Sequence, residues 1–134
     1  MTLLDATPPK PPRQVGRYML VALALILVSG AGYVGLRNFP EEQAISRFLT
    51  TLEQGNYREA YRLWQPSPSY SYGDFLHDWG EQGDYGKIRT FKILGSTSKG
   101  PDTVIVTVTI NDQQPPHNLV VDRKTKGLAY SPFD

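Results

Sequence analysis

Helices first, strands last, and one uncharged apolar run ahead of both predict an α+β domain carried on a single transmembrane helix. Three observations support this. Residues 18–36, YMLVALALILVSGAGYVGL, contain no charged side chain. Residues 40–79 repeat apolar side chains at three- and four-residue steps. Residues 88–131 switch to a period of two.

As a helix, the run 18–36 would reach about 28 Å, close to the hydrocarbon thickness of a bilayer. Lys10, Arg13 and Arg17 precede it, while Arg37 is soon followed by Glu41 and Glu42. Positive charge stays on the cytoplasmic side, so the amino terminus is expected inside a bacterial inner membrane, with residues 40–134 periplasmic or extracellular. The lipid bilayer is then the first expected partner. The same stretch admits a second reading, export and cleavage. Its core, 18–28, has the length of a signal core, and Ser29-Gly30-Ala31 offers small residues for a cut near Ala31. Gly30, Gly32 and Gly35 would permit close packing of a second helix, although glycine is common in such spans. Ahead of the run, TPPKPPR at 7–13 favours an extended polyproline spacer. Residues 1–17 therefore read as a proline-rich, disordered cytoplasmic head.

The chain has 134 residues and no cysteine. That length suits one domain plus an anchor. The missing thiols exclude disulfides, thiolate chemistry and cysteine zinc sites, so the domain must hold by packing. Net charge is +1 overall, yet beyond Arg37 acidic side chains outnumber basic ones by two. Nucleic-acid binders need a basic stripe, so that partner class is not expected.

Within the domain, Pro40 suits a first helical turn, and Glu41 and Glu42 complement its positive end. Ala44, Ile45, Phe48, Leu49 and Leu52 form an apolar stripe, and Gly55-Asn56 ends the helix. Tyr57, Ala60, Tyr61 and Trp64 mark a second helix, stopped by Pro66 and Pro68. A third short helix opens near Ser71 or Tyr72 and ends at Trp79, ahead of a glycine-rich loop at 80–84. Strands are predicted at 88–96, 103–111, 117–122 and 128–131. The second is the clearest, with Val104, Val106, Val108 and Ile110 facing one way.

The phrase from Phe48 to Tyr61, FLTTLEQGNYREAY, and the closing VVDR…GLAYS of residues 120–131 resemble a nuclear transport factor 2-like domain. The resemblance covers about residues 41–133 and rests on structural motifs. It implies a cystatin-like cone: two to three helices packed on a curved four-stranded antiparallel sheet. The family includes ketosteroid isomerases, whose first-helix tyrosine helps form an oxyanion hole. The matching position here is Phe48, which has no hydroxyl to donate. Proteins of similar layout include scaffold subunits of bacterial secretion channels and non-catalytic modules beside cell-wall enzymes.

The residues themselves offer little chemistry. His77-Asp78 is the one adjacent acid–base pair, and neighbours on a helix do not face each other. Neither His77 nor His117 has the spacing of a metal motif, and no phosphate loop or nucleophile elbow occurs. No cofactor is expected. Aromatic side chains crowd the middle of the chain, and Phe48, Tyr61, Trp64, Tyr70, Tyr72 and Trp79 are the candidate ligand- or partner-binding residues. Helical spacing also suits them to a core, with Tyr70 and Tyr72 the most exposed. The resulting expectation is a membrane-anchored envelope interaction or assembly module without catalytic activity. A binding protein for an apolar or cell-wall-derived small molecule, using the cone pocket, is the alternative.

Overall fold

The computed structural model describes residues 13–132. It divides into a first unit ending at Arg37 and a second, Asn38–Asp134. The first contains helix α1, Arg13–Leu36. The proline-rich segment 7–12 and the packing role of Gly30, Gly32 and Gly35 lie outside what is described. Helix begins at Arg13, so the expected irregular head does not extend to residue 17.

The expected transmembrane helix is not found. Among the described residues, no helix is long and apolar enough to cross a membrane. Arg13 and Arg17 belong to α1 itself. Every large apolar side chain from Val15 to Val28 is at least half exposed.

The second unit is α+β. Helices α2 (Phe39–Glu53), α3 (Tyr57–Trp64) and α4 (Tyr72–Trp79) precede strands β1 (Phe91–Lys99), β2 (Thr103–Ile110), β3 (His117–Asp122) and β4 (Leu128–Tyr130). The strands form an open antiparallel sheet in the order β1-β2-β3-β4. Short turns between successive strands make this meander the simplest pairing. Helix α2 packs against α3 and strands β1 to β3.

The helix ends follow local chemistry. Pro40 sits in the first turn of α2, where a missing N–H costs nothing, beside Glu41 and Glu42. Gly55, at φ 72°, turns the chain after α2. Asn56 then caps α3, its side chain accepting from the Glu59 N–H at 3.4 Å. Ser71 opens α4 with a reciprocal box: Asp74 N–H donates to Ser71 Oγ at 3.0 Å, and Ser71 N–H donates to Asp74 Oδ2 at 3.1 Å.

The core lies between α2 and the sheet. Ile45, Phe48 and Leu49 are fully buried, as are Val104, Val106, Val108 and Ile110. The alternation expected for β2 is therefore realised. Strand β1 starts three residues later than expected, because the segment before it is held by a side chain rather than a ladder. Asn111 Oδ1 accepts from Arg89 N–H at 2.7 Å, and its Nδ2 donates to Lys87 O at 2.9 Å. Ile88 is buried within that staple. The register of β1 on β2 also shifts between Ile93 and Gly95.

Candidate functional site

Aromatic rings from α2, α3 and α4 meet in one cluster. Phe48 lies 5.3 Å from Trp64, 6.1 Å from Phe75 and 5.0 Å from Trp79, centroid to centroid. Phe48 and Phe75 are fully buried, and Trp64 and Trp79 nearly so. Such tilted and edge-on contacts are the arrangements ring quadrupoles prefer. These rings are core. Trp79 Nε1 has no hydrogen-bond partner among the described residues, so packing alone holds that ring.

The other predicted site residues lie at the cluster's edge. Tyr61 and Tyr72 sit 5.4 Å apart, half-buried, with the Arg58 guanidinium 3.9 Å above the Tyr72 ring. Tyr61 donates its hydroxyl to Tyr70 O at 2.6 Å. Tyr70 in turn donates to Asp78 Oδ2 at 2.5 Å. Burial first, then this bond to a carboxylate, pushes the Tyr70 hydroxyl well above the ordinary tyrosine range.

Sequence reasoning missed the residue that completes this edge. Tyr130, on β4, stacks parallel to Trp79 at 5.9 Å and lies 5.1 Å from Trp64, yet remains 41% exposed. Its hydroxyl is also raised, by burial first, then by the Tyr70 and Asp78 charges and a hydrogen bond to Tyr70. Tyr130 stands between two clefts. One, of about 320 Å³, is lined by Trp64, Pro66, Ser67 and Tyr70. The other, of about 290 Å³, is lined by Tyr85, Pro115, Pro116 and His117. The His117 ring packs edge-on against Tyr85 at 4.8 Å. The only signal available in sequence was the hairpin itself, whose register sets Tyr130 opposite Leu119.

His77 is exposed, and its Nδ1 lies 3.7 Å from Asp78 Oδ1, beyond hydrogen-bond reach. Glycines at 80 and 83 bring the following loop against the end of α4. A Cβ on Gly80 would come within 2.4 Å of Leu76 O, and one on Gly83 within 2.8 Å of His77 O. This fold-back places possible ligand atoms of His77, Asp78 and Asp84 within 4.8 Å of one another. Asp78 already accepts from Tyr70, and His77 and Asp84 are exposed. Sequence spacing alone did not reveal this grouping.

A second polar assembly joins the two ends of the domain. Glu41, almost fully buried at the start of α2, accepts through Oε1 from Arg123 Nη1 at 3.2 Å and from Lys126 Nζ at 3.3 Å. Arg123 Nη2 donates to Asn38 Oδ1 and to Ser98 Oγ, both at 2.8 Å. Pairing and hydrogen bonding are what make a carboxylate tolerable at this depth.

Comparison with protein-family models, curated proteins and solved structures yields no match for this chain.

Proposed function

We propose that this chain is a non-catalytic interaction module that recognises a protein partner through the aromatic edge around Tyr130. The observation that carries this reading is the combination of exposure and order at Tyr130. The ring is 41% exposed, stacked on the buried Trp79, and its hydroxyl is tied to Tyr70, which itself donates to Asp78. A rigid aromatic side chain gives contact area at low cost in conformational entropy, and tyrosine and tryptophan dominate binding energy at interfaces. The flanking clefts add Pro116 on one side and Pro66 on the other, surfaces that a partner's apolar side chains can enter.

The nuclear transport factor 2-like scaffold is part of the same proposal. It is supported by the Gly55-Asn56 turn between α2 and α3 and by the β3–β4 hairpin. So is an address outside the cytoplasm, reached by export with cleavage near Ala31. The apolar stretch 18–28 has the length of a signal core, and Arg13 and Arg17 precede it. Mass measurement of the mature chain would then find residue 32 at its amino terminus, and an intact Met1 would refute export by cleavage.

Photocrosslinking tests the interaction. A benzophenone amino acid replacing Tyr130 in the full chain, in its own cells, should give an adduct of defined mass. The same group replacing Lys92, exposed on β1, should not. No adduct from position 130, or identical adducts from both positions, would refute the assignment.

A further inference from the structure

A third cleft, of about 460 Å³, opens between α2, the end of α3 and the β3–β4 turn. Gln43, Ala44 and Arg47 form one wall. Their three- and four-residue spacing puts them on one face of α2, away from the Ile45–Phe48–Leu49 core stripe. Arg62, Leu63 and Gln65 form the second wall, Thr125 and Lys126 the third.

The walls are fixed to one another. Gln65 and Lys126 both adopt left-handed backbone, at φ 54° and 61°, although neither is glycine. Gln65 Nε2 donates to Thr125 O at 2.6 Å. A Cβ on Gly127 would lie 3.1 Å from Gln65 Oε1, so the turn seats closely on this side chain. Lys126 is anchored below by Glu41 and by the Arg123 carbonyl.

Positive charge here exceeds what the surroundings neutralise. One oxygen of Glu41 answers both Arg123 and Lys126. Arg62 is paired with Glu59 on its own helix. The Arg47 guanidinium is exposed and makes no hydrogen bond or ion pair among the described residues. It is near enough to Glu59 to help Arg62, the main cause, hold that carboxyl below its ordinary range. Ala44 and Leu63 supply an apolar floor beside these cations, and Gln43 adds an amide. The volume falls within the range of small-molecule sites.

We infer that this cleft binds a small organic anion, its oxyanion headgroup on Arg47 and Arg62 and its short hydrocarbon part against Ala44 and Leu63. Guanidinium forks match planar oxyanions with two parallel hydrogen bonds, which a lysine cannot do; the Arg62 Nε and Nη2 fork is occupied by Glu59, so Arg47 offers the fork and Arg62 its remaining N–H groups. The site is separate from the Tyr130 edge, so each proposal can fail alone.

The test is amide NMR on the full chain, titrated with hexanoate and, separately, with hexylammonium at equal ionic strength. Hexanoate should produce saturable shifts at residues 43–47, 62–65 and 125–127, and hexylammonium none there. Arg47→Gln should weaken hexanoate at least tenfold, and Arg62→Gln should also weaken it, each variant keeping a dispersed spectrum. Lys92→Gln should leave binding unchanged. Absence of saturation at those residues, equal response to the cation, or undiminished binding by both arginine variants would overturn the inference.

Discussion

Helices α1 and α2 are both rich in apolar side chains, and they meet opposite fates. In α1 every large apolar side chain from Val15 to Val28 is at least half exposed. In α2 Ile45, Phe48, Leu49 and Leu52 are buried, while Arg47 between them is exposed. Apolar content is therefore a poor guide to burial, and its arrangement is the better one. A stripe of helical period pairs one face with a sheet.

Substitutions sharpen this contrast. Phe48→Ala removes a fully buried ring that touches three others and should cost about 3–5 kcal/mol. Ser71→Ala removes half of a capping box and should cost about 1 kcal/mol. In the uncleaved chain, Leu23→Ala, at a site 53% exposed, should leave the unfolding midpoint within about 0.5 kcal/mol of the parent. Urea unfolding of the three variants orders them. A Leu23→Ala loss approaching that of Phe48→Ala would contradict the exposure of that side chain.

Much of the fold could be read from residues near one another in the chain. The alternation of TVIVTVTI places β2 and its buried face, and the Gly55-Asn56 turn separates α2 from α3. Features made by distant residues could not be read. The delayed start of β1 depends on Asn111 reaching back to Arg89 and Lys87. The predicted aromatic residues do gather in space, but their spacing could not separate a filled core from an open pocket. Phe48, Trp64 and Trp79 proved to be interior, Tyr61, Tyr70 and Tyr72 peripheral. Tyr130 escaped notice because a three-residue edge strand has too few positions to show which side chains face out. The Arg47, Arg62 and Lys126 grouping joins three separate elements, so no local motif announces it.

Tyr130 is exposed yet stacked on the buried Trp79 ring, and its proton reports that environment directly. The folded state raises the Tyr70 and Tyr130 hydroxyls above the ordinary value of 10.0. Unfolded chain thus loses these protons first. The stability they contribute is complete below about pH 10 and is lost as pH climbs through the folded-state values. The decisive measurement is an alkaline titration of the Tyr130 ring carbon bearing the hydroxyl, followed by NMR in the parent and in Tyr70→Phe. The prediction is a Tyr130 midpoint well above 10 in the parent, moving toward 10 when the Tyr70 hydroxyl is removed. A parent midpoint at the ordinary value would mean a freely solvated ring, and the preorganised edge would not exist.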